Sequence, residues 1–142
     1  MTQSAEPPTE VVDPPGRWSA LARLAIGMVL AMTTWFSASA VLPQLRTEWP
    51  LSSAQGSWLT IAVQLGFVAG AVSLAGLNLS DLVPPRRLML YGAVGAATAN
   101  LALLGADRAA AAIPLRFATG ACLGAVYPSG LKAMATWCRR GR

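Results

Sequence analysis

The sequence predicts an all-α integral membrane protein with four transmembrane helices. Three observations carry that expectation. Only 12% of the 142 residues are charged, about half the usual share in a soluble domain, while 54% are hydrophobic. The charges are clustered, which leaves long stretches with none. Those stretches are close to the length that a helix needs to cross roughly 30 Å of hydrocarbon. A water-soluble helical bundle would need polar faces along these stretches, and they lack them.

Residues 1–16 read as a disordered tail on the cytoplasmic side. They hold Glu6, Glu10 and Asp13, four prolines and no base, the opposite of the positive start of a cleavable signal. The membrane domain is expected over residues 17–142. Its first span covers about Leu24 to Leu42, 19 uncharged residues or about 28 Å of helix, with Pro43 expected to end it. A short loop with Arg46 and Glu48 follows. Ser52, Ser53, Ala54 and Gln55 then form a capping-box pattern, in which a Ser hydroxyl and the Gln55 side chain satisfy orphan N–H groups.

The second span is expected from about Trp58 to Leu79, stopped by Val83-Pro84-Pro85. Gly66 and Gly70 form a Gly-x-x-x-Gly pair that lets a neighbouring helix approach closely. The third span covers about Leu88 to Gly105, and Asp107 and Arg108 mark a tight turn after it. The fourth runs from about Ala109 to Trp137, an interfacial anchor, with Arg116 inside it. Tyr127-Pro128 is expected to kink it and Lys132 to snorkel toward headgroups.

The bases set an orientation. Arg17, Arg23, Arg86, Arg87, Arg139, Arg140 and Arg142 belong to one side, and Arg46 and Arg108 to the other. That bias predicts a multi-pass protein of the inner (plasma) membrane with both termini cytoplasmic. A formal net charge of +5 would raise nucleic acid as a partner in a soluble protein. Here the bases sit at span ends, so no nucleic acid is expected. The chain has no histidine, and its two cysteines, Cys122 and Cys138, would lie about 24 Å apart on one helix. No disulfide between them, no metal and no cofactor is therefore expected. No nucleophile motif or phosphate-binding loop is present, so the chain does not read as an enzyme.

Three segments resemble the N-terminal third of a major facilitator superfamily transporter: LPQLRTEWPLSSAQGSWLTIAVQLG, GLNLSDLVPPRRL and RFATGACLGAVYPSG. The resemblance extends from Trp18 to Arg142. In that family the loop between the second and third helices carries Gly-x-x-x-Asp-Arg-x-Gly-Arg-Arg. Asp81 fills the acidic position, and Arg86 and Arg87 supply the trailing bases. Leu77, Leu82, Pro84 and Pro85 stand where the signature has Gly, Arg, Gly and Arg. The resemblance implies that this loop is a conformational gate in which the acid helps latch two halves of the transporter. In the fourth span, Arg116, Gly120 and Gly124 match the family's Arg-then-small-residue pattern.

Arg116 draws attention without the family. A guanidinium at the bilayer centre costs about 2.5–3.5 kcal/mol or more, so it needs a partner or a wet cavity, or else a position close enough to headgroups to reach them. The resemblance implies that the first and fourth helices line a central cavity. Arg116, Thr34, Trp35, Ser37, Gln64 and Gly120 are then the candidate cavity-lining residues. Gly66, Gly70, Gly120 and Gly124 are the helix-packing residues. The bland reading of the Ser and Thr residues is hydrogen bonding to their own helix. Asn100 is one further polar residue inside a span.

Such transporters have two six-helix halves, each made of two inverted three-helix repeats. The chain supplies the first three-helix repeat plus one helix of the next, so it reads as a fragment, not expected to transport alone, whose C-terminal helices are missing. Its partners would be the lipid bilayer, a small solute, and in the intact parent a coupling ion. Arg116 suits an anionic solute or coupling to a proton site. No carboxylate lies deep in a span to carry a proton. Two alternatives remain: a self-contained four-helix protein with an accessory or structural role, or a small dimeric exporter.

Overall fold

A computed structural model describes residues 15–139, with side chains through Thr136. Most of the expected tail (residues 1–14), and Arg140 and Arg142, lie outside these described residues. Helix α1 spans Arg17–Glu48, α2 Ser53–Gly76, α3 Leu79–Leu82, α4 Pro85–Ala102 and α5 Ala109–Arg139, with a 3₁₀ turn at Leu103–Gly105. No strand occurs among the described residues. Helices α1, α2, α4 and α5 are each long and apolar enough to cross a membrane, α4 together with its 3₁₀ turn.

The helix ends follow from local chemistry. Gly16 enters α1 with φ 83°, a left-handed conformation that a residue without Cβ adopts readily. Expected to end the first span, Pro43 instead sits inside α1, which continues to Glu48. A proline removes only one donor from the ladder, and the following residues keep theirs. Pro50 ends the helix instead. The residue before a proline is pushed to extended backbone, and Trp49 has φ −109° and ψ 136°. Ser52 and Gln55 form the capping box at the start of α2: the Gln55 N–H donates to Ser52 Oγ at 3.2 Å, and the Ser52 N–H to Gln55 Oε1 at 2.9 Å.

Helix α2 stops at Gly76, before the proline pair. The chain turns at Asn78, whose φ of 50° is left-handed, a conformation that asparagine tolerates better than most residues. Pro85 then opens α4 at its first turn, where a missing N–H costs nothing. The chain stays helical through Pro114 and Pro128 in α5.

Helix α5 is the hub. Against α2 the two backbones nearly touch. A β-carbon at Gly66 would lie 2.0 Å from the Phe117 carbonyl oxygen, and one at Gly120 would lie 2.0 Å from the Val63 carbonyl oxygen. Gly70 stands in the same relation to Ala121, and Gly124 to Phe67. In lipid there is little hydrophobic drive between helices, so close backbone packing of this kind holds them together. Helix α4 lies along α5 with Gly92 and Gly95 over Cys122. The core is Ala31, Ala96, Leu123 and Val126, with Trp35 and Phe67 packed against it. Helix α1 buries only Met28, Ala31 and Ala38, and leaves Val29, Leu30 and Phe36 exposed.

Gly66→Ala and Gly120→Ala should each destabilise the protein by about 1–3 kcal/mol, the usual cost of overpacking. Gly27→Ala, where a β-carbon meets nothing within 4 Å, should not. Unfolding in detergent, followed by loss of helical circular dichroism, measures both.

Candidate functional site

Arg116 bonds directly to two other spanning helices and reaches the remaining one through Ser37. It lies on α5, one turn before Gly120, and is fully buried at 0% exposure. Because Gly66 and Gly120 bring α2 against α5, Arg116 Nε reaches across to donate to the Leu59 carbonyl at 3.3 Å. On the opposite side, Nη1 donates to the Thr34 carbonyl at 3.0 Å and to Ser37 Oγ at 3.4 Å, and Nη2 donates to the Trp35 carbonyl. The Ser37 hydroxyl lies 2.8 Å from both the Thr34 carbonyl and Asn100 Oδ1, and with one proton it donates to one of them at a time. Asn100 brings α4 into the same network.

Arg116 therefore neither reaches headgroups nor opens onto a cavity. Its charge is solvated by backbone carbonyls of α1 and α2, which replace the water that lipid cannot supply. No carboxylate takes part. Gly120 is buried too, because its missing side chain is where α2 passes.

Other candidates are arranged differently. Thr34 Oγ1 donates to the Ala31 carbonyl at 2.6 Å, the bond to its own helix that threonines often make. Trp35 is half-buried and meets Phe67 edge-on at 5.2 Å between ring centres; Phe67 in turn meets Tyr127 at 6.4 Å. That aromatic row across α1, α2 and α5 was not visible in the sequence. Gln64 is exposed on α2, with no hydrogen bond to another helix among the described residues. A cavity of about 250 Å³ lies beside Ser37, Asn100 and Leu59, between α1, α4 and α5.

At the other end of the bundle, Lys132 Nζ donates to Asp81 Oδ1 and to the Ser80 carbonyl, both at 2.8 Å. Lys132 is thus an ion-pair partner, where the sequence suggested a snorkelling base. The Lys132 ammonium, first by hydrogen bonding and then by charge, holds the Asp81 carboxyl below the usual carboxylate range. Arg86 and Arg87 are exposed, and neither pairs with Asp81 among the described residues. The sequence signal for the pair was a base on the fourth span with no acid on its own helix.

A sequence profile described as the Major Facilitator Superfamily matches residues 24–142. The chain belongs to that superfamily. No curated protein and no solved structure matches it. Membership makes it a multi-pass membrane protein of a family that transports solutes, and one of transporters, not enzymes.

Three outcomes follow from this geometry. Arg116→Ala removes a buried cross-brace of charged hydrogen bonds, each worth about 1.5–3 kcal/mol, and should destabilise the protein by at least about 2 kcal/mol in detergent unfolding. Ser37→Ala should cost less, on the order of 1 kcal/mol, as membrane hydrogen bonds do. For Asp81, a lowered folded pKa means that the pair persists at neutral pH and is lost only as pH falls through that value. Lys132→Gln should move the Asp81 titration, followed by carboxyl-carbon NMR, upward to the ordinary carboxylate range. An unmoved midpoint would contradict the pairing.

Proposed function

We propose that the chain forms the N-terminal part of a secondary active transporter that moves a small solute by alternating access. On this reading its four spanning helices do not transport by themselves. The observation that carries it is the superfamily match over residues 24–142, laid on a bundle pinned at a single buried arginine. Transporters of this superfamily rock one half against the other around a central site. Helices α1, α2 and α4 correspond to one three-helix repeat, and α5 begins the next. Joined through Arg116, they behave as one body, and alternating access needs a second.

In this reading Arg116 is a positioning residue. It fixes the backbone of α1 beside Thr34 and Trp35, whose side chains, with Ser37 and Gln64, face or border the solute path. The interior of the bundle carries a full positive charge at Arg116 and no carboxylate along the middle of any spanning helix. Its field favours an anionic solute over a cationic one. Asp81, Arg86 and Arg87 form the cytoplasmic gate, and the excess of arginines at that end supports cytoplasmic termini in the inner membrane.

The test begins with the native product, captured from membranes by an antibody to residues 1–16. Its intact mass should be about three times 14.7 kDa, the value expected for twelve helices where this chain has four. Reconstituted on a solid-supported membrane, it should give transient currents with at least one of a panel of small carboxylates and phosphates. Residues 1–142 alone should give none. A native mass of 14.7 kDa, or currents from residues 1–142, would sink the reading.

A further inference from the structure

A second opening in the described residues lies away from Arg116. It is an open groove of about 680 Å³ at the Arg23–Arg86 end of the bundle, with α1 and α4 as walls and α5 as floor. Leu24, Met89 and Val126 make its lining apolar, and Arg23 and Arg86 stand on opposite walls. Among the described residues no acidic side chain lines it. Neither arginine has a carboxylate partner among the described residues, and the carboxylate of Asp81 is already engaged by Lys132. Thr136 also lines the groove, but its hydroxyl donates to the Ala133 carbonyl at 2.7 Å. The two guanidinium groups are therefore the donors that the groove offers.

Two like charges facing each other over an apolar trough are stabilised by an anion between them. A guanidinium matches phosphate oxygens in a two-point fork better than an ammonium does. The apolar lining asks for hydrocarbon attached to that anion, and basic pockets between membrane helices are suited to acidic headgroups. We propose that this groove binds one anionic phospholipid, its phosphodiester between Arg23 and Arg86 and its acyl chains along Leu24, Met89 and Val126. The proposal needs only residence in a membrane. Its failure leaves the transport reading untouched, because binding is read without transport.

The experiment is native mass spectrometry of the delipidated protein purified from its membrane. It is titrated with phosphatidylglycerol or with phosphatidylcholine of identical acyl chains. Phosphatidylglycerol should bind more tightly, as a single adduct. The double variant Arg23→Gln/Arg86→Gln should lose that preference by about tenfold or more, since each base near a membrane surface is worth about fivefold. Arg46→Gln/Arg108→Gln, at the other end of the bundle, should keep it.

The readout is the ratio of the two lipids, and an unfolded variant would lose both adducts. Should the double variant fail to fold, the unmodified protein decides. A phosphatidylglycerol with a photoreactive acyl chain should label the segment around Met89. Equal binding of the two lipids, a preference that survives the double variant, labelling confined to other segments, or displacement by inorganic phosphate would each overturn the proposal. The third is expected if another protein segment fills the groove, and the last if the site takes a free anion.

Discussion

A charge that cannot leave the hydrocarbon must be solvated by the protein, and Arg116 shows how this bundle does it. The hydrocarbon offers no hydrogen-bond acceptors, so a guanidinium there is tolerated only where protein oxygens replace water. Four oxygens do so here, three of them backbone carbonyls and one the hydroxyl of Ser37. Carbonyls suit this task because they already belong to helices and cost no extra side-chain ordering. The Leu59 carbonyl is within reach only because α2 and α5 touch through Gly66 and Gly120. The glycine contact and the arginine are therefore one device: the first sets the distance that the second spans.

The same dependence explains why α1 stays attached. It buries few side chains, and its exposed apolar face gains nothing from leaving lipid for other apolar groups. Its fixed points are polar or close-packed: Thr34, Trp35 and Ser37 at Arg116, and Met28 beneath Gly130. Ser37 extends the join to Asn100. Without Arg116, α1 would depend mainly on small patches of contact, which resist sliding less well than directional hydrogen bonds.

Much of this architecture was legible because lipid imposes simple rules. Runs without charge mark spans, and Gly66, Gly70, Gly120 and Gly124 announce themselves by their four-residue spacing. The capping box was local, so Ser52 and Gln55 could be read directly. Long-range choices were not. Whether Pro43 or Pro50 ends α1 depends on which one is followed by backbone that can keep its own bonds. The turn at Asn78 needs a left-handed residue, which no hydropathy pattern shows. Arg116 was recognisable as a residue needing partners, but carbonyls are present at every position, so sequence could not say which ones accept. Nor could it show that these acceptors would engage every nitrogen of the guanidinium and leave it fully buried.

The two ends of the bundle are built to different tolerances. Around Arg116 the bonds are buried and screened by neither salt nor water, so that region resists deformation. Asp81 and Lys132 are joined at 2.8 Å but in the open, with much of both side chains exposed. Exposed pairs are weakened by solvent and salt, and they form and break readily. The packing of α2 on α5 is therefore the firmer of the two joins. The Asp81–Lys132 pair ties the α3 loop to α5, and Arg86 and Arg87 lie just beyond it. Breaking an exposed ion pair leaves no unsolvated charge behind, whereas breaking a buried one does. Arg116 has no such escape, because losing its carbonyl partners would leave a buried charge with nothing to solvate it.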